Sequence, residues 1–279
     1  MKTFIFIITI FFLGCKDGDN KVAIFDAEVK EVQNGTWYKP IQKTSWQWQL
    51  QGDINTSYDV TLYDIDLFDT DKSLIDELHT KDIKVICYFS AGTFEDWRDD
   101  KNSFPSNILG DRLDEWNDER WLNIADERLA PIMKARLDLA VSKGCDGVEP
   151  DNMDGYTNQT GFNLQAIDQL AYNKFIANEA RKRGLSVGLK NDLDQLTELE
   201  PYFDFLVNEQ CHIYNECNKT LPFIERDKPV FNAEYQQKYI DNNNSERDIL
   251  CQESKSLGIE TLVLPLYLDD SFRFSCENI

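Results

Sequence analysis

Between about residues 45 and 266 the sequence alternates short apolar runs with longer stretches of helical periodicity, and the short runs number eight. They fall near Ser45–Leu50, Val60–Ile65, Lys84–Phe89, Gly147–Asp151, Ser186–Lys190, Phe205–Glu209, Val230–Tyr235 and Thr261–Leu266. Such runs read as buried parallel strands. Between them, Lys72–Lys81 carries Leu74, Ile75 and Leu78 on one helical face. Glu127–Lys143, Asn163–Arg183 and Ser245–Leu257 read as longer helices, each followed within one residue by a glycine suited to a helix C-terminus. Shorter helical pieces lie at Leu193–Leu199 and Leu221–Arg226, and a Trp- and Asp-rich insertion runs from Gly92 to about Asn123. Strand and helix in repeated alternation predict an α/β fold, a single (β/α)8 TIM-type barrel over residues 36–279. A doubly wound open sheet is the alternative. No glycine-rich phosphate loop follows the first strand, which argues against its nucleotide-binding versions.

The N-terminus stands apart. After Met1-Lys2 the chain is almost wholly apolar to Gly14, too short to span a bilayer and suited to a signal peptide. Phe12-Leu13-Gly14-Cys15 resembles the end of a bacterial lipoprotein signal. This predicts lipidation at Cys15, a flexible tether over 16–35, and a lipid-anchored place in the cell envelope, at the outer membrane or cell surface. Secretion is the alternative. Six other cysteines remain, an even number for an oxidising compartment. Cys211 with Cys217, Cys251 with Cys276 and Cys87 with Cys145 are candidate pairs, but sequence leaves the connectivity open. Two unpaired histidines, His79 and His212, and the lack of any Cys-x-x-Cys give no metal pattern, and no cofactor is expected.

Fifty acidic and 29 basic residues set the net charge at −21. Nucleic acid is excluded as a partner, because no basic excess exists to neutralise phosphates. A polycation fits, as does simple solubility. The chain is expected to be a monomer that meets a membrane only through its lipid.

Active sites of such barrels lie at the C-terminal strand ends. There the sequence places Asp64 and Asp66, Tyr88, Asp151 and Asn152, Lys190, Glu209, and Glu234 with Tyr235. Alternation along the fourth strand turns Glu149 and Asp151 into the barrel, Glu149 deeper and Asp151 at the mouth. Lys190, one strand on, is a partner for either acid. Glycoside hydrolysis needs two carboxyl groups flanking the scissile bond, and Asp151 with Glu209, two strands apart, can face each other across a cleft. The charge of Lys190 favours Asp151 as nucleophile, and the apolar Phe205-Leu206-Val207 before Glu209 favours Glu209 as general acid. Trp46, Trp48, Tyr88, Trp97, Trp116, Trp121, Tyr156 and Tyr235 are candidates to stack on sugar faces, although most such aromatics serve cores.

Several segments together carry a family resemblance. They include Ser45-Trp46-Gln47-Trp48-Gln49-Leu50, Tyr63-Asp64-Ile65-Asp66, Val85-Ile86-Cys87-Tyr88-Phe89-Ser90-Ala91-Gly92, Asp146-Gly147-Val148-Glu149-Pro150-Asp151-Asn152, Gly188-Leu189-Lys190-Asn191 and Asn208-Glu209-Gln210-Cys211. The chain resembles glycoside hydrolase family 114, the endo-α-1,4-polygalactosaminidases, over about Trp37 to Leu266. The resemblance implies an endo-acting enzyme on α-1,4-linked galactosamine polymers, with its catalytic carboxylates at Asp151 and Glu209. Retention of configuration is the expected outcome. A cationic galactosamine-rich polysaccharide then gives the acidity a meaning, and Asp64, Asp66 and Glu234 become candidates to pair with its amines. Asn152, Tyr88, Lys190 and Tyr235 complete the expected binding set.

Two rival readings differ in chemistry. A chitinase-like scheme needs a proton donor where Met153 stands, and methionine cannot donate. A non-catalytic carbohydrate-binding barrel would dispense with the two acids, yet both are present.

Overall fold

The computed structural model describes residues 23–278; the lipidation site read at Cys15 and the signal peptide lie outside them. Eight parallel strands succeed one another around the centre: β1 Trp46–Gln49, β2 Leu62–Asp66, β3 Lys84–Ser90, β4 Gly147–Asp151, β5 Ser186–Lys190, β6 Phe205–Glu209, β7 Val230–Glu234 and β8 Glu260–Val263. A two-residue strand, β9 Phe274–Ser275, pairs antiparallel to β8. The curled sheet with its helices is the TIM-type fold expected from the alternation. β4, β5 and β6 occupy the positions read from sequence. β8 begins one residue earlier and stops at Val263, because Pro265 lacks the N–H that another ladder rung would need.

Side-chain alternation builds two cores. Trp46, Trp48, Leu62, Ile86, Phe205, Val207, Phe231, Ala233 and Leu262 fill the barrel interior. Tyr63, Ile65, Val85, Cys87, Val148, Val187 and Leu206 face outward against the helices. Gly188 makes room inside: a Cβ there would meet the Phe205 ring at 2.3 Å. The seam between β1 and the last strands is fastened by side chains. Trp46 Nε1 donates to the Glu260 carbonyl at 3.0 Å, and Arg273 donates to the Trp46 carbonyl at 2.8 Å and to Gln47 Oε1.

The surrounding helices include α1 Lys72–Thr80, α2 Leu129–Lys143, α3 Ala166–Lys182 and, after shorter pieces, a last long helix at Glu246–Leu257. Several act on the loops at the barrel mouth through buried polar side chains. Arg136 of α2 donates to the Ser90 carbonyl at 2.6 Å, and Tyr172 of α3 to the Ala91 carbonyl at 2.7 Å. Asn173 of α3 donates to both the Met153 carbonyl and Asp192 Oδ2, each at 2.9 Å. The loops after β3, β4 and β5 therefore inherit the rigidity of helices.

The insertion after β3 is a structured wall. Thr93–Glu95, Leu109–Arg112 and Glu119–Leu122 form an antiparallel sheet with the last of them in the middle. Gly92 starts it: any Cβ would lie 1.8 Å from the Asn152 carbonyl oxygen, so only glycine lets the wall approach the β4 loop. Three disulfides, Cys87–Cys145, Cys211–Cys217 and Cys251–Cys276, realise the three candidate pairs. Among the described residues no helix is long and apolar enough to cross a membrane.

Candidate active site

β4, β5 and β6 end at one level, and their last residues are Asp151, Lys190 and Glu209. Alternation turns all three inward. The residue after each strand, Asn152, Asn191 and Gln210, has a positive φ of 60°, 51° and 60°. This left-handed step is costly for most residues but tolerated by asparagine. It turns the chain sharply away and leaves each preceding side chain over the barrel.

Lys190 Nζ is the hub. It lies 3.1 Å from Asp151 Oδ1, 3.2 Å from Glu209 Oε2 and 3.4 Å from Glu149 Oε1. Below, it sits 4.9 Å from the centre of the Trp48 ring. The lysine is 3% exposed. Burial alone would depress its ammonium, but Asp151, Glu209 and Glu149 outweigh burial and hold it well above its ordinary value. Because Asp151 and Glu209 each place an oxygen on this one ammonium, those oxygens are no farther apart than the two contacts together, about 6.3 Å.

Each acid has further fixed donors. Asp151 accepts from Tyr88 Oη at 2.8 Å and from the Asn152 backbone N–H at 2.6 Å. Glu209 accepts from Tyr235 Oη at 2.6 Å and Asn191 Nδ2 at 3.2 Å. Burial, reinforced by the neighbouring carboxylates, holds both tyrosines well above their usual values, so they stay donors. Asn152 Nδ2 reaches Ser90 Oγ at 3.0 Å and Thr93 Oγ1 at 3.3 Å, tying the β4 loop to the wall.

These acids line a cleft of about 800 Å³ together with Trp48, Tyr88, Trp97, Trp116, Tyr235 and Tyr267. Trp97 and Tyr267 are exposed, and Trp116 meets Tyr267 edge to face at 5.8 Å across the mouth. Glu95 and Glu119 come from the insertion wall, and Asp154 from the β4 loop. Thr93 Oγ1 donates to Glu119 at 2.6 Å. Sequence periodicity gave no sign of Glu95 or Glu119 as cleft residues, because the insertion lies outside the strand–helix alternation.

Several expectations are corrected. Asp64 points inward but lies one layer too deep: it is 1% exposed, does not reach the cleft, and is stacked with Glu149 rather than with a ligand. Glu234 points outward, because β7 sends Phe231, Ala233 and Tyr235 inside; it is fully buried and accepts from the His212 backbone N–H at 2.8 Å. Asp66 does line the cleft, but Arg98 grips both its oxygens at 3.0 and 2.6 Å, leaving little charge for a substrate amine. Glu209 sits among Lys190, Tyr235 and Asn191 rather than in the apolar setting expected from the residues before it. Trp46 and Trp121 belong to packing, and Tyr156 lines a side chamber instead of the central cleft. Tyr88, Asn152, Lys190 and Tyr235 converge with Asp151 and Glu209. The described Cys–His grouping, Cys211, His212 and Cys217, is closed to metal by the disulfide between its two cysteines.

A sequence profile of glycoside-hydrolase family GH114 matches residues 27–279. The crystal structure of Ega3 from Aspergillus fumigatus in complex with galactosamine is similar at a TM-score of 0.82 and 40% identity, covering 87% of this chain and 99% of that one. The glycoside hydrolase domain of PelA from Pseudomonas aeruginosa is similar at a TM-score of 0.64 and 12% identity, covering 81% and 96%; it speaks to the fold alone. No curated protein matches the chain.

The crowd of buried carboxyls has a measurable consequence. Burial pushes Asp64, Glu119 and Glu234 up to about 7 and Asp192 up to about 8. An unfolded chain releases these protons near pH 4. The folded protein keeps them, so their contribution to stability is complete below about pH 4 and is lost as pH rises through about 7 to 8. The melting temperature should fall between pH 5 and pH 8. A flat or rising profile would contradict these assignments.

Proposed function

The chain belongs to glycoside-hydrolase family GH114 and is a glycosidase, and on that premise we propose that it cleaves within α-1,4-linked galactosamine polymers, using Asp151 as nucleophile and Glu209 as general acid. The observation that carries this reading is Lys190, which holds the two carboxyl groups on one ammonium. Retaining glycosidases keep their carboxyl groups about 5–5.5 Å apart, and inverting ones about 6.5–9.5 Å to admit a water. The limit of about 6.3 Å set by the two Lys190 contacts favours the retaining spacing.

The steps follow from the contacts. Tyr88, Lys190 and the Asn152 N–H fix the Asp151 carboxylate in one orientation at the cleft floor. Asp151 attacks the anomeric carbon while the proton on Glu209 passes to the departing glycosidic oxygen, and the C–O bond to the leaving chain breaks. A glycosyl ester on Asp151 results. Water then attacks the same carbon, Glu209 takes the water's proton, and Asp151 leaves as a carboxylate. Lys190 touches both acids throughout, so the negative charge that moves between them stays on one counter-ion.

Shape and charge support the polymer. The central cleft shares Leu50, Gln51, Asp66 and Asp69 with a trough of about 730 Å³ on one side. It shares Asp154, Asn191, Glu209 and Gln210 with a chamber of about 340 Å³ on the other. A groove continuing past the acids in both directions suits internal cleavage. Its carboxylates, within a chain of net charge −21, suit a cationic polysaccharide. The complex of Ega3 with galactosamine points to the same sugar. We propose further that Cys15 carries a lipid that holds the enzyme at the bacterial envelope, with the barrel acting as a monomer.

Incubation with α-1,4-galactosamine polymer should release oligosaccharides of mixed length. Asp151→Asn and Glu209→Gln should each lower kcat about a thousandfold or more while the fold is kept, since each removes a group essential to bond cleavage. Binding without any cleavage by the wild type would overturn the reading. For the anchor, Cys15→Ala should move the protein from the membrane to the soluble fraction; an unchanged distribution would defeat it.

A further inference from the structure

Behind the cleft, two buried hydroxyls connect the insertion wall to the turn that carries Asp151. Asn152, the residue after Asp151, donates its backbone N–H to Asp151 Oδ1 at 2.6 Å. Its side-chain amide goes instead to Ser90 Oγ at 3.0 Å and to Thr93 Oγ1 at 3.3 Å. Ser90 Oγ and Thr93 Oγ1 are 2.5 Å apart, and Thr93 Oγ1 donates to Glu119 Oε2 at 2.6 Å. Ser90 and Thr93 are fully buried and do not line the cleft, whereas Glu119 and Asn152 do.

Donor counting fixes the direction of this relay. An amide Nδ2 only donates, so Ser90 Oγ accepts from Asn152, and it also accepts the Thr93 backbone N–H at 3.1 Å. The Ser90 hydroxyl proton then goes to Thr93 Oγ1, and the Thr93 proton goes to Glu119. Reversing the order would strand the Ser90 proton in a buried place with no acceptor, which is costly. The relay therefore needs an acceptor at its far end, and Glu119 supplies it. As a piece of the sheet, an acid there is unfavourable. Glu119 stands directly opposite Glu95 in the antiparallel pair of the wall, a like-charge placement that destabilises sheets. Arg98 answers Glu95 at 2.8 Å, but Glu119 forms no salt bridge among the described residues. Burial pushes Glu119 up to about 7 even against the pull of the Thr93 hydroxyl.

We propose that Glu119 is a positioning residue for the reaction: through Thr93 and Ser90 it holds the Asn152 side chain, and with it the left-handed turn that presents the Asn152 N–H to Asp151. The backbone completes the grip, because the Ala91 and Gly92 N–H groups donate to the Asp151 carbonyl at 2.9 and 3.1 Å. Asn152 itself has a φ of 60°, so the turn needs holding. The insertion wall thus serves the chemistry as well as the shape of the cleft. The proposal rests on the reading of Asp151 as nucleophile. Misplacing an attacking group slows the chemical step more than it weakens substrate binding.

The test measures kcat and KM separately on α-1,4-galactosamine polymer for Thr93→Val, Thr93→Ser, Glu119→Ala, Asn152→Ala and the double variant Thr93→Val/Asn152→Ala, each checked for folding by its melting temperature. Thr93→Val removes a hydroxyl that lies behind the cleft. It should lower kcat about tenfold or more with KM changed by less than about twofold, and Thr93→Ser should restore the rate. Glu119→Ala, on the other strand of the wall, should show the same split and carries the test if Thr93→Val does not fold. The double variant should lose no more than the worse of its two single variants, because both break one relay. A wild-type kcat in folded Thr93→Val and Glu119→Ala would overturn the proposal, as would losses that add in the double variant. A rise in KM alone for Glu119→Ala would mean that the carboxyl only touches substrate, and the relay would fall. Loss of activity in Asp151→Asn beside an unaltered Thr93→Val would defeat the relay and leave the nucleophile in place. Activity kept in Asp151→Asn, or no cleavage of the polymer by the wild type, would remove the underlying reading and the relay together.

Discussion

The site depends on one buried ammonium. Taking a lysine out of water costs several kcal/mol, and a single carboxylate rarely repays it. Here Asp151, Glu209 and Glu149 surround Lys190 within 3.4 Å and the face of Trp48 lies beneath it. Removing the ammonium would leave three carboxyl groups crowded together at and just beneath the barrel mouth. Each would then drive its neighbours apart or force protons onto them. The strand ends, the left-handed steps after them and the helices that grip the loops all serve to keep this cluster in register.

Beneath the cluster, Asp64 and Glu149 form a second layer with no route to solvent. Burial and mutual repulsion hold Glu149 well above the ordinary carboxylate range. This pair thus keeps its protons, away from the groove. The same residue type therefore does different work at different depths: proton-bearing in the interior, hydrogen-bonded and facing the groove at the mouth. Around the mouth, Glu119 and Asp154 add a third set whose protons are easily lost or displaced near neutral pH. On the proposed reading, a cationic substrate would meet a surface that can adjust its charge to it.

The parts of the fold set by period and punctuation were legible in the sequence. β4 and β5 follow helix-ending glycines, β6 lies between Asp204 and Gln210, and their limits could be read directly; so could the inward phase of Glu149 and Asp151. Less legible was anything set by the stagger between strands. Asp64 has the right phase, but its depth follows from its pairing with Ile86, whereas Asp66 pairs with Tyr88 one layer higher. No single strand carries that information. At β7 the period of two forbids Glu234 and Tyr235 from facing the same cleft, and Phe231 and Ala233 inside the barrel decide for Tyr235. The β5 loop was hidden for a third reason: its course depends on two successive left-handed residues, Asn191 and Asp192, and on Asn173 from a helix.

The central claim is that Lys190 holds Asp151 and Glu209 close enough for direct attack on the sugar. Proton NMR of the first products released from α-linked galactosamine polymer, recorded before mutarotation, reads this directly. A new reducing end that first appears in the α configuration is the result predicted, since two displacements through an Asp151 ester restore it. A β end appearing first would mean that water attacks in one step across a wider gap, and would contradict the account.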